Sequence, residues 1–159
     1  MTNGYDFSDV GPDAALLSGY WEAQRGDLAM PRRADIDVLD LPAKLWPRLI
    51  LLGVSYDPLR LYYRIVGTAV AEMVGADWTG RYLDEVTVAT PSVGVQNMET
   101  IELGRPTTHI FNYCRVDPEI DEIRELRFER VIFPMSDDGE RVTHLFGAVF
   151  PRIAKERVD

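Results

Sequence analysis

Residues 48–75 read RLILLGVSYDPLRLYYRIVGTAVAEMVG, and the fold turns on this stretch. Arg48 to Val54 is a nearly continuous apolar run of strand length. Tyr56-Asp57-Pro58-Leu59 is turn chemistry, and Leu61 to Val66 is rich in aromatic and β-branched residues. The pattern predicts a hairpin. From Ala69 the apolar period changes: Ala69, Val70, Met73 and Val74 recur at helical spacing and stop at Gly75.

Toward the C-terminus, Asp77-Trp78-Thr79-Gly80 reads as a loop and a second short helix is expected near Arg81. Thr90-Pro91 pairs an N-cap residue with proline at the first helical position, and Val93, Ile101 and Leu103 carry a longer helix to a stop at Gly104. The last third predicts strands over Thr107–Arg115, Ile123–Met135 and Arg141–Arg152, with turns at Asp117-Pro118 and Ser136-Asp137-Asp138-Gly139. Glu125, Arg127 and Glu129 alternate with Leu126 and Phe128, which gives that strand one wet and one dry face.

Toward the N-terminus, Leu16, Leu17, Tyr20 and Trp21 fall at helical spacing between Asp13, the expected N-cap, and Gly26. This half-aromatic stripe must lie on something apolar, either its own sheet or the same helix of a second copy. Pro31, Pro42 and Pro47, with Asp35, Asp37 and Asp40 among them, make the next segment an ordered but irregular connector. The division expected is residues 1–47 as helix and connector, 48–152 as core, and 153–159 as tail. The element order predicts an antiparallel α+β arrangement: five strands in one curved sheet, with the short helices inserted between the second and third strands and folded over its concave side. A parallel nucleotide-binding sheet would alternate strands and helices instead.

A chain of 159 residues that is 46% hydrophobic can bury roughly two-thirds of its unfolded surface, enough for one core. The net charge is −9, and two Lys and fifteen Arg are scattered without a basic stripe, which argues against a nucleic-acid partner. The longest purely apolar run, Leu49 to Leu52, is far short of the roughly 20 residues that cross a bilayer, so no membrane partner and a cytoplasmic location are expected. A single cysteine, Cys114, cannot form an internal disulfide, and neither His109 nor His144 has a second metal-type residue at suitable spacing, so no metal site is expected.

The element order is that of a PAS domain, and local sequence agrees with it. Val66 to Gly75 resembles the stretch in which the second PAS strand enters a helix through Asn-Pro-Ala, with Gly67-Thr68 standing in place of Asn-Pro. Gly80-Arg81-Tyr82-Leu83 resembles the Gly-Arg-x-Leu element at the next turn. Tyr20-Trp21-Glu22, Met30-Pro31-Arg32-Arg33-Ala34-Asp35-Ile36-Asp37 and Pro134-Met135-Ser136-Asp137-Asp138-Gly139 narrow the resemblance to a bacterial family of stand-alone PAS proteins. The resemblance implies a sensory or docking role, often through homodimers.

Asn112-Tyr113-Cys114-Arg115 is superficially similar to the Asn-Cys-Arg of flavin-binding light sensors. However, Cys114 falls in a predicted strand and is followed by Arg115-Val116-Asp117, which disfavours covalently linked flavin. Haem is disfavoured because the segment Pro91 to Gly104, where similar haem-binding PAS domains carry the iron ligand, has no histidine. The cofactor therefore stays unknown.

Tyr63, Arg64, Trp78, Arg81, Phe111 and Tyr113 supply aromatic faces and guanidinium groups for a cavity between sheet and helices. His109 and His144 are further candidates to point into it. The bland alternative makes the aromatics core and the arginines partners of surface carboxylates such as Glu72, Asp77 and Asp84. Leu17, Tyr20 and Trp21 are the dimer-interface candidates.

The function expected is a non-catalytic sensor that binds a small molecule, an unidentified signalling protein, or both. With the chain ending at Asp159 a few residues past the last strand, its output is expected to travel by protein contact. One alternative is a pure scaffold with a filled core, favoured by a cavity below roughly 300 Å³. The other is a small cone-shaped α+β enzyme, weakened because the last two strands carry no carboxylate apart from Glu125 and Glu129, both expected to be exposed. No Gly-x-Ser-x-Gly elbow, phosphate loop or His-Glu-x-x-His is present.

Overall fold

A computed structural model describes residues 11–86, 91–117, 119 and 121–151, with only the backbone described at 91, 113–117 and 122–126. Helix α1 (Pro12–Arg25) is followed by three short 3-10 turns at Arg33–Asp35, Val38–Asp40 and Ala43–Arg48. Strands β1 (Leu49–Ser55) and β2 (Arg60–Val66) form the expected hairpin. Helices α2 (Thr68–Val74), α3 (Leu83–Val86) and α4 (Pro91–Leu103) lead to β3 (Thr107–Asp117), β4 (Glu122–Met135) and β5 (His144–Pro151). All pairings are antiparallel, and the strand order is β2-β1-β5-β4-β3. The first and last strands thus meet in the middle, and the helices between β2 and β3 bridge the two edges.

Because side chains alternate across a strand, the register assigns each residue to a face. Leu51, Phe146 and Phe133 are neighbours across β1, β5 and β4, as are Ile50, Gly147 and Ile132 on the opposite face. The first set faces α1. There, Trp21 is 3% exposed, its indole N–H donates to the Pro134 carbonyl at 2.8 Å, and its ring lies 6.3 Å from Phe133. The connector extends this outer layer, with Met30, Ile36, Leu41 and Leu45 all buried and Pro31 accepting the Ser136 N–H at 3.0 Å. Helices α2 and α4 cover the other, inner face. The chain thus has two apolar layers on one sheet.

The choice between sheet and second copy for the first helix is thereby made. The expectation that Leu17, Tyr20 and Trp21 leave a stripe for a partner does not hold, because Leu17 and Trp21 are buried under the chain's own sheet. The Tyr20 hydroxyl is occupied with Asp37 and Asp40, donating to the Asp40 carboxylate at 3.1 Å and accepting from the Asp37 N–H at 2.9 Å. Nor is Asp13 the N-cap: Gly11 holds that place with Pro12 at the first helical position, and Asp13 pairs with Lys44 at 3.2 Å. Leu16, at 40% exposure, is the member of the stripe left toward solvent.

At the β2–α2 junction the reason for Gly67 is steric. A Cβ there would collide with the backbone carbonyl of Pro47, while the Gly67 N–H donates to Leu49 at 2.8 Å. The departure from Asn-Pro therefore suits a connector that presses against the strand exit. The last strand begins at His144 rather than Arg141, since the Asp138 carboxylate accepts the N–H groups of Glu140 and Arg141, both at 2.8 Å, and winds 136–141 into a turn. Thr90 and Arg152, the expected starts and ends of two elements, lie outside the described residues.

Candidate functional site

The inner face of the sheet and helices α2 and α4 enclose a small cavity of about 30 Å³. Its wall is apolar for the most part: Ile50, Val66, Val70, Met73, Val93, Phe128 and Val149 surround it together with Tyr63 and Trp78. The charged exception is Arg130, which is 2% exposed. It sits on the dry face of β4 because it continues the alternation of Phe128 and Ile132, and in register it faces His109 on β3.

Gln96 of α4 holds this arginine in place. The Gln96 Oε1 accepts from Arg130 Nη1 at 3.0 Å, while its Nε2 donates to the Arg130 carbonyl at 2.9 Å and reaches Thr107 Oγ1 at 3.1 Å. Thr100 closes the group, its hydroxyl 2.7 Å from that of Thr107. Among the described residues Arg130 Nη2 has no hydrogen-bond partner and no carboxylate is paired with the guanidinium. Burial pulls the Arg130 pKa down to about 10, only partly opposed by Tyr63, whose own pKa burial raises. Asn97, one turn along α4 from Val93, is fully buried, and neither of its amide atoms has a partner among the described residues.

Of the sequence candidates, Tyr63 and Trp78 line this cavity, their rings 5.7 Å apart, and Phe111 packs behind it on Phe128 at 5.4 Å. His109 is not in the wall; it stacks on Phe111 and lies 2.8 Å from the Glu99 carboxylate on α4. Arg81 is exposed, 3.9 Å from Glu85, and contributes through its backbone, which accepts the Tyr63 N–H at 2.9 Å. The side chain of Tyr113 lies outside the described residues, as does that of Cys114, whose backbone runs in β3. Arg64 and His144 fall on the outer face, in an open groove of about 480 Å³ with Tyr62 and Tyr82. They do not reach the cavity, since their strand positions have the opposite parity to Tyr63 and Leu145.

His144 is half-buried there, and burial lowers its pKa despite the Asp137 carboxylate 3.7 Å away; Arg64 and Arg33 push the same way. The unfolded chain therefore takes up this proton first as pH falls. Above the ordinary histidine pKa of 6.5 the group contributes no pH dependence; below it, stability declines until the folded-state value is reached. Urea midpoints measured between pH 7.5 and 5 should drop more in wild type than in His144→Gln. Equal slopes would show that the imidazole is not desolvated.

Glu129 corrects another expectation. It is 3% exposed rather than solvated, yet it lies on the outer face, opposite in parity to the cavity residues Phe128 and Arg130. Arg130 and Gln96 went unremarked in the sequence, although the alternation of Leu126 and Phe128, extended by two residues, already places Arg130 on the dry face.

Among the described residues no helix is long and apolar enough to cross a membrane, and no cluster of three or more potential metal ligands is found. A search of curated proteins finds no match. Solved structures similar to this chain include a LOV protein of Rhodobacter sphaeroides (14% identity, TM-score 0.47, 65% of this chain and 58% of that one). The chain thus spans less than two-thirds of that protein's length. The PAS domain of BvgS from Bordetella pertussis is similar at 12% identity (TM-score 0.48, 74% of this chain and 88% of that one). The N-terminal domain of a diguanylate cyclase with PAS/PAC sensor from Marinobacter aquaeolei is similar at 18% (TM-score 0.41, 65% and 94%). A family model described as "PAS domain" matches residues 11–150, which takes in α1 and the connector as well as the five strands, and the chain belongs to that family.

Proposed function

We propose that the chain is a non-catalytic sensory PAS module that takes a small molecule into the inner cavity and passes its occupancy to a signalling protein by contact. It does so in the cytoplasm and as a homodimer. In this reading residues 48–152 form the sensing core, 1–47 a helix and connector, and 153–159 a tail, with 1–10 and 152–159 outside the described residues. PAS domains are generally sensory rather than catalytic. The observation that carries the reading is Arg130: a buried donor left without an acceptor costs about 1–3 kcal/mol, which a purely structural core has no reason to retain.

A second reading, a scaffold with a filled core, draws on the cavity volume. About 30 Å³ holds roughly two waters and lies far below the roughly 300 Å³ lower end of ligand sites. The two readings part on one measurement. Melting of dialysed protein across small acids, amides, nucleotides and free flavin should rise for at least one class, and a flat response to all of them leaves the scaffold. Light scattering at micromolar concentration should give twice the 18.0 kDa chain mass, and a monomer removes the dimer from the proposal.

A further inference from the structure

The sensing reading leaves the ligand class open, and the cavity wall narrows it. Among the described residues Arg130 is the one cation in a wall otherwise formed by hydrocarbon and aromatic rings, with the Tyr63 and Trp78 side chains as the other polar-bearing groups. Gln96 fully uses its amide to anchor Nη1 and the strand carbonyl, so the guanidinium is held in position while Nη2 stays unmatched. A planar guanidinium with free N–H donors suits a carboxylate, and the surrounding Ile50, Val66, Val70 and Val149 suit a short alkyl tail. A bulky or multiply charged ligand fits neither the 30 Å³ of free space nor the single cation.

Resting on the sensing reading, we infer that this cavity binds a short-chain monocarboxylate, with its carboxylate on Arg130 Nη2 and its alkyl tail against Ile50, Val66 and Val149. Room for about two waters takes a carboxylate with a methyl-sized tail at most, and longer acids require α2 and Trp78 to move outward, since Val70, Met73 and Trp78 form that wall.

The test compares sodium acetate, propionate, butyrate and hexanoate with sodium chloride at equal ionic strength, and each acid with its neutral amide. The readouts are melting temperature and amide NMR shifts of the wild-type protein. Shifts centred on the cavity residues, largest for acetate, falling as the chain lengthens and at least tenfold weaker for the amides, are the expected result. Arg130→Met should weaken acetate binding about 100-fold, or about 2.8 kcal/mol at 1.4 kcal/mol per tenfold. The acid–amide comparison needs no variant, so a poorly folding Arg130→Met does not spoil the test. Equal response to acid and amide, or to chloride and acetate, overturns the carboxylate assignment. Binding of an amide, a nucleotide or free flavin in the same cavity, with the acids silent, overturns this inference while leaving the sensing reading intact; silence from the acids, amides, nucleotides and flavin alike overturns both.

Discussion

Replacing Trp21 by alanine is expected to lower the unfolding free energy by about 4 kcal/mol, the cost of removing a buried indole from a packed core. The side chain is 3% exposed, packs on Phe133 and donates to the Pro134 carbonyl at 2.8 Å, so the change opens a void between α1 and the sheet and orphans that carbonyl. Single domains are stable by about 5–15 kcal/mol, so the loss is a large share of the total. For a chain of this size it corresponds to roughly 10 °C in melting temperature. The wild-type–variant difference should be independent of protein concentration. If the difference instead grows with dilution, Trp21 is serving a second copy and the placement of α1 is wrong.

Gln96→Leu should cost about 3 kcal/mol, read from urea unfolding. The substitution takes the acceptor from Arg130 Nη1 and the donor from the Arg130 carbonyl and Thr107, turning a half-matched buried cation into an unmatched one. Adding Arg130→Met in the Gln96→Leu background should recover more than half of the loss, because the orphaned charge goes with it. That sign is diagnostic: apolar replacement of one partner is costly, and of both nearly neutral. A cost below about 1 kcal/mol for Gln96→Leu would mean that water takes over the guanidinium and that the site is wetter than its burial implies.

The same network explains why the site was less legible than the fold. Gln96 and Arg130 are 34 residues apart, and nothing in the local pattern of either segment marks their meeting. Glutamine in a helix reads as a surface residue and arginine in a strand as a wet one. Two aromatic candidates, Tyr63 and Trp78, were legible because hydrophobic aromatics in a hairpin and its following loop have few places to go but inward. Arg64 and His144 misled for the opposite reason: their chemistry suits a binding pocket, but strand parity sends them to the outer groove.

What the sequence determined by itself is the set of elements and the class of fold. Apolar runs of strand length, a switch to helical spacing at Ala69 and turn residues between them are local signals, and antiparallel order follows from grouped rather than alternating elements. What only the tertiary structure decided is which partner each face meets. The docking of Trp21 on its own sheet, the burial of Glu129 on the outer side and the isolation of Arg130 beside an apolar cavity depend on side chains tens of residues apart. Burial and charge compensation are properties of such neighbours rather than of the residue, so no period along the chain encodes them.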